Sequence, residues 1–218
     1  LGDNQGRSRE TTFLNAAGEL VPVTYTCAEL GGDDPALRGH VVTLHNISER
    51  KAAEQRIRYL ARIDALTKVP NRMQFQHLLQ RALARARRGR HRLALIYMDV
   101  DKFKEINDTF GHTAGDLCLE TLTTRLRNLL PEGSVIGRMA GDEFGVILDN
   151  LDPARNLRAE VVATTRLLQE TITEPLQYQG HQLYLSTSAG IALYPTDGNN
   201  VIDLIRNADA ALYRAKRQ

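Results

Sequence analysis

Two cysteines in 218 residues are too few for a disulfide framework, and Cys27 and Cys118 fall in stretches of different texture. A reducing compartment is therefore expected, and the chain reads as cytoplasmic. No apolar run approaches the roughly 20 residues that span a bilayer, and no leader peptide opens the chain, so no membrane segment is expected in it. The net charge is only +2, from 28 Lys and Arg against 26 Asp and Glu, which gives no argument for a nucleic-acid partner. Punctuation at the ends is missing too: the chain starts at Leu1 and stops directly after Lys216 and Arg217, as a piece of a longer protein would.

What is present is an ordinary globular composition, 42% hydrophobic and 25% charged, enough for one generous domain or two small ones. The central stretch is the apolar run Leu93-Ala94-Leu95-Ile96-Tyr97-Met98, which delivers Asp99 and Asp101 at its end. Such a run reads as a strand buried on both faces, and strands of this kind present ligand-binding groups at their carboxyl ends. Farther on, residues 135–139, Ala140-Gly141-Asp142-Glu143 and residues 144–148 read as strand, tight turn and strand. If this hairpin pairs beside the first strand, Asp99 and Asp142 converge. Converging carboxylates repel unless a cation neutralises them, and hard oxygen donors suit Mg²⁺, which usually also takes phosphate oxygens. The chemistry indicated is metal-assisted phosphoryl or nucleotidyl transfer. Against it stands the ordinary reading of any one acidic pair as solvated turn chemistry.

The company these residues keep shifts the balance. Asp99-Val100-Asp101-Lys102-Phe103-Lys104-Glu105-Ile106-Asn107-Asp108, then Phe110-Gly111-His112-Thr113-Ala114-Gly115-Asp116, then Ala140-Gly141-Asp142-Glu143-Phe144 resemble the GGDEF family of diguanylate cyclases. Asp64-Ala65-Leu66-Thr67 with Asn71-Arg72 resembles that family's opening signature. Its closing motifs are matched by Ser188-Ala189-Gly190, Tyr194-Pro195, Asp197-Gly198 and the run from Ala208-Asp209 through Leu212-Tyr213 to Lys216.

The resemblance implies a mixed α/β fold, a palm-like sheet flanked by helices. It implies that Asp99, Asp142 and the backbone carbonyl of Val100 hold Mg²⁺, or Mn²⁺, against GTP, and that Phe103, Lys104 and Lys216 meet its phosphates. Asn107 and Asp116 would recognise guanine, with His112 near substrate. Asp142 and Glu143 would be the catalytic residues, Glu143 helping to deprotonate the attacking 3′-hydroxyl. The implied product is cyclic di-GMP, made by a homodimer because each domain holds one GTP. Asp101 is acidic and near but is not a dependable ligand in the family.

Two departures stand out. Ala140 replaces the family's first glycine, and an alanine at positive φ there would be strained. The family's inhibitory R-x-x-D motif would fall at Pro131-Glu132-Gly133-Ser134, so no product feedback through it is expected.

Residues 1–48 read as strands and turns, with a hairpin about Asn15-Ala16-Ala17-Gly18, a loop at Gly31-Gly32-Asp33-Asp34-Pro35 and a later strand from His40 to His45. This stretch resembles the end of a PAS sensor domain. Residues 49–63 form a helical linker, with Ser48 as its N-cap and Ala53, Ile57 and Leu60 on either a coiled-coil seam or a plain amphipathic face. Residues 64–218 make up the GGDEF-like domain. Within it the apolar stripe Phe75, Leu78, Leu79, Ala82, Leu83 and Ala86 predicts a helix over 74–88. Further helices are expected to begin at Gly115-Asp116 and over 153–173, and Leu183 to Leu193 reads as a long central strand. The arginines from Arg85 to Arg92 read as a solvated helix end. Two further readings stay open: a silent GTP-binding module controlling a C-terminal phosphodiesterase domain, and a purely structural dimerising module.

Overall fold

A computed structural model describes residues 8–30, 39–151 and 156–217, so the loop expected about residues 31–35 lies outside the described residues. The chain divides into two compact units, Leu1–Ala61 and Arg62–Gln218.

In the first unit, β1 (Arg9–Leu14), β2 (Leu20–Leu30) and β3 (Gly39–Asn46) form an antiparallel sheet in that order. The β1–β2 turn is tightened by Asn15, whose Oδ1 accepts from the amides of Ala17 and Glu19 at 2.9 Å. Helix α1 (Ser48–Leu60) follows. Ser48 is not its N-cap, contrary to expectation; Ile47 holds that position without a side-chain bond, and Asn46 Oδ1 instead accepts from the Ser48 amide at 2.8 Å. Arg50 and Lys51 both pair with Glu10. Along α1, Ile57 and Leu60 are exposed.

The second unit is a four-stranded sheet with helices on both faces. It contains α2 (Arg72–Gly89), β4 (Arg92–Val100), α3 (Phe103–Phe110), α4 (His112–Leu129), β5 (Val135–Ala140), β6 (Glu143–Leu151), α5 (Leu157–Ile172), the short hairpin β7 (Leu176–Tyr178) and β8 (His181–Leu183), β9 (Thr187–Tyr194) and α6 (Val201–Ala215). The sheet order is β5-β6-β4-β9, so β4 pairs antiparallel with β6 on one side and β9 on the other. The run from Leu183 to Leu193 is therefore not one central strand. Leu183 closes the β7–β8 hairpin, and β9 forms an edge of the sheet.

Alternation along β4 feeds two cores, which is why its apolar run is buried except at the half-buried Tyr97. Ala94, Ile96, Met98 and Val100 join Leu119, Leu122 and Leu126 of α4 and Val161 and Leu168 of α5. Leu93 and Leu95 join Phe75, Leu79 and Leu83 of α2 and Leu204 and Ala208 of α6. Each fully buried Leu, Ile or Phe in these cores contributes about 1.5–3 kcal/mol of transfer free energy.

Helix α2 starts two residues earlier than the expected residue 74, because Asn71 caps it by accepting from the Gln74 amide at 3.1 Å. Phe75 then lies fully buried over two glycines, Gly137 and Gly145, that face each other across β5 and β6. A Cβ on either glycine would come within 2.5 or 2.6 Å of the ring, so the helix packs this closely because both side chains are missing. Asn156 caps α5, and Asn200 caps α6 by accepting from the Asp203 amide at 2.9 Å.

Candidate functional site

The acidic hairpin reaches the end of the first strand of the sheet. Asp99 is the register partner of Glu143, and the Val100 amide donates to the Asp142 carbonyl at 3.3 Å. The two-residue turn Gly141-Asp142 joins β5 to β6, with the register shifting between Arg138 and Ala140. The left-handed conformation this turn needs falls on Gly141, at φ +43°, and not on Ala140. The expected strain at Ala140 is therefore absent.

The tip is fixed from behind by Arg138. Its Nε donates to the Gly141 carbonyl at 2.8 Å, and its Nη1 meets Asp64 Oδ1 at 3.0 Å. That same Asp64 oxygen accepts from the amide and hydroxyl of Thr67, at 2.9 and 2.7 Å. Burial raises the Asp64 proton affinity, but the Thr67 bonds and the guanidinium outweigh it and hold the carboxyl below its ordinary range. The Arg138 amide also donates to the Pro70 carbonyl at 2.9 Å. The opening Asp-x-Leu-Thr segment is thus laced to the hairpin.

Asp99 is 6% exposed. Burial raises its pKa most; Lys216 pulls the other way, and the neighbouring Asp142 and Asp101 push it up again. Lys216 Nζ lies 2.6 Å from Asp99 Oδ1. Glu143 is shifted in the same direction by burial, then by Asp99, Asp142 and Asp209, with Lys216 opposing. Asp99 and Glu143 thus both have raised proton affinity beside a further carboxylate, Asp142, and near a single ammonium, an arrangement that a small hard cation relieves. Among the described residues no group of three or more His, Cys, Asp or Glu side chains is arranged to hold a metal ion by itself. Two carboxylates and a backbone carbonyl fit an ion of the Mg²⁺ type that completes its shell with water and substrate phosphates, and do not fit a closed zinc site.

Asp101 does something else. Its Oδ2 accepts from the Ser186 hydroxyl at 2.9 Å and its Oδ1 from the Ser188 hydroxyl at 2.7 Å, while its amide donates to the Ser186 carbonyl at 2.9 Å. Both carboxylate oxygens face β9 and its approach, and the bend leading into α3 is pinned there. Lys102 then turns the chain at φ +56°. No side chain caps α3, so the amides of Phe103 and Lys104 have no intrahelical acceptor and are open to an anion.

Asn107 on α3 packs against α4 at Gly115, the residue before Asp116. A Cβ at Gly115 would lie 2.1 Å from Asn107 Oδ1 and 3.1 Å from the Phe103 ring, so only glycine leaves the Asn107 amide its place. Helix α4 begins at His112, earlier than the expected Gly115-Asp116, because Gly111 at φ +83° separates it sharply from α3. His112, Lys104 and Asp116 are exposed, whereas Phe103 and Asn107 are half-buried. Sequence reasoning missed the roles of Arg138, Ser186 and Ser188. Two serines spaced by two in extended chain share a face, and that spacing was the available signal.

The comparisons with known proteins agree on one family. The model described as "Diguanylate cyclase, GGDEF domain" matches residues 61–218. The bifunctional diguanylate cyclase/cyclic di-GMP phosphodiesterase MucR of Pseudomonas aeruginosa is 39% identical over 166 residues, 76% of this chain and 24% of that protein. Diguanylate cyclase TpbB of the same species is 40% identical over 162 residues, 71% of this chain and 35% of that protein. This chain thus spans about a quarter to a third of the length of these two relatives. A crystal structure of a sensory box/GGDEF family protein from Caulobacter crescentus CB15 aligns with TM-score 0.68 and 36% identity, covering 72% of this chain and 98% of that one.

Proposed function

This chain belongs to the GGDEF-domain family of diguanylate cyclases, and from that premise we propose that it condenses two molecules of GTP into cyclic di-GMP and pyrophosphate. The observation that carries the reading is the hairpin tip, which sets Asp142 and Glu143 beside Asp99 at the end of β4. Mg²⁺, or Mn²⁺ in its place, held by Asp99, Asp142 and the Val100 carbonyl, would neutralise triphosphate charge and acidify the attacking hydroxyl.

The chain's own groups do the rest. The free amides of Phe103 and Lys104, with the Lys104 and Lys216 ammonium groups, bind phosphate oxygens. Asn107 and Asp116 meet the amide edge of guanine, with His112 at the margin of the same pocket. Glu143 accepts the proton of the 3′-hydroxyl. The 3′-oxygen of one GTP then bonds to the α-phosphorus of the other, the bond from that phosphorus to the bridging oxygen breaks, and pyrophosphate leaves. Each domain offers one such site, so two copies must face each other, and the homodimer is the active form. Residues 1–48 belong in this reading to a PAS-like sensor in the cytoplasm, and residues 49–63 carry its signal through a paired helix.

The test is to incubate the chain with GTP and Mg²⁺ at concentrations that dimerise it and to look for cyclic di-GMP by chromatography. Turnover by the wild type and none by Glu143→Gln is the expected result. GTP bound without turnover would favour a second reading, a regulatory module for an attached phosphodiesterase. That reading is kept because MucR, by name, joins both activities in one protein. No binding of GTP at all would overturn both.

A further inference from the structure

Six polar side chains, those of Arg72, Gln76, Tyr97, Glu143, Arg206 and Asp209, converge on a cavity on the face of the sheet away from α3 and α4. This cavity, of about 590 Å³, lies between the first turn of α2, β4, the hairpin and α6. Arg72, Tyr97, Glu143 and Asp209 line it, and among the described residues none of these side chains has a hydrogen bond or salt bridge. They are nevertheless close enough that Arg72, Asp209 and Glu143 all act electrostatically on the half-buried Tyr97 hydroxyl. Another nearby cation, Arg206, is already committed to Asp203 at 2.9 Å. Met139, Ile205 and Leu212 give the cavity its apolar part.

A concave space with apolar walls and a few unpaired polar groups is the usual form of a small-molecule site, and this one is large enough to admit a nucleobase. Here the groups specify what would fill it. Two carboxylates against one free guanidinium leave acceptors in excess, so the occupant must bring N–H donors. Arg72 and the Tyr97 hydroxyl are donors, so it must also bring acceptors. The apolar walls ask for a flat hydrocarbon-like body.

We propose that this cavity binds an amino-substituted nitrogen heterocycle of nucleobase size, its amino edge on Asp209 and Glu143 and its ring nitrogens toward Arg72 and Tyr97. The site is separate from the guanine-facing pair Asn107 and Asp116, whose helices pack on the opposite core. Because Glu143 is shared, an occupant engages that carboxylate and withholds it from the 3′-hydroxyl. This consequence for synthesis rests on the function proposed above; the binding does not.

2-Aminopurine is a suitable probe, being fluorescent and carrying both an amino group and ring nitrogens. Titrated against the whole chain, it should bind saturably at one site. Asp209→Asn should weaken binding at least about tenfold, the scale of one charge-assisted hydrogen bond, and Ile205→Trp, which crowds the apolar wall of the cavity, should weaken it as well. Asn107→Ala should leave it unchanged. Absence of saturable binding, or binding that survives both Asp209→Asn and Ile205→Trp, overturns the proposal. Loss in Asn107→Ala instead would put the base in the guanine pocket, overturning this inference while supporting the proposed function. Asp209 is exposed, so its substitution spares the fold and decides the matter if Ile205→Trp proves unfolded by circular dichroism.

Discussion

The Lys216 ammonium stands 2.6 Å from Asp99 Oδ1, on the carboxylate with which a divalent ion would also have to pair. An ion held as proposed would therefore compete with the ammonium for one oxygen until phosphate drew the lysine away. Lys216→Met should lower stability in the absence of Mg²⁺ by about 1 kcal/mol, the scale of a partly exposed pair. Added Mg²⁺ should then raise the melting temperature of the variant more than that of the wild type. Differential scanning fluorimetry across a magnesium series reads this directly, and equal shifts in both proteins would contradict the competition.

Asp101 is expected to act as a positioning residue for the phosphate-facing amides. Asp101→Ala frees the turn before α3 from Ser186 and Ser188 and should weaken GTP binding about tenfold, the scale of one or two hydrogen bonds to a charged group. Asp101→Asn, which keeps an acceptor oxygen, should recover part of the loss. Calorimetric titration with GTP checks both; magnesium dependence should stay as in the wild type, since Asp101 is turned to its serines.

The Asp64–Arg138 pair should be visible in acid. The folded-state pKa of Asp64 is depressed. Its stabilising contribution is therefore fully present above the ordinary carboxylate value, about 3.9, and is lost as pH falls through the lowered folded value. Arg138→Met removes one of the causes and should move the acid unfolding midpoint to higher pH. At neutral pH it should cost about 1–2 kcal/mol, as a partly buried charge loses its partner. Urea unfolding at a series of pH values supplies both numbers.

Position 140 should tolerate glycine and position 141 should not tolerate alanine. Ala140→Gly leaves the turn unchanged and should cost less than about 1 kcal/mol. Gly141→Ala forces a side chain into the left-handed region, with a penalty of roughly 1–2 kcal/mol, and should also lower cyclic di-GMP formation by displacing Asp142. Thermal denaturation together with product assay separates the two variants.

The chemistry-bearing part of the chain was the most legible. An unbroken apolar strand ending in Asp99, and a Gly-Asp turn between two apolar runs, announce their geometry through local rules that tertiary contacts have little power to override. The α2 stripe was equally plain. What could not be read were choices made by neighbours. Leu183 to Leu193 looks like a single buried strand because Leu183 and Leu185 are in fact buried, yet that burial comes from packing outside β9. Ser48 has the chemistry of a cap and lost that place because Asn46 reaches its amide first. Asp101 reads only as an acidic neighbour of the cluster, and only the fold brings two serines, 85 and 87 residues away in sequence, onto its oxygens.

The paired glycines under Phe75 have one more effect. A ribbon that gives up two opposed side chains loses much of its own stiffness, and here the bracing comes from outside, through an aromatic ring mounted on α2. The helix serves as a splint for the acidic tip. A tug on the stretch leading into α2 would be felt as a change in the aim of Asp142 and Glu143, without a single residue of the cluster being touched.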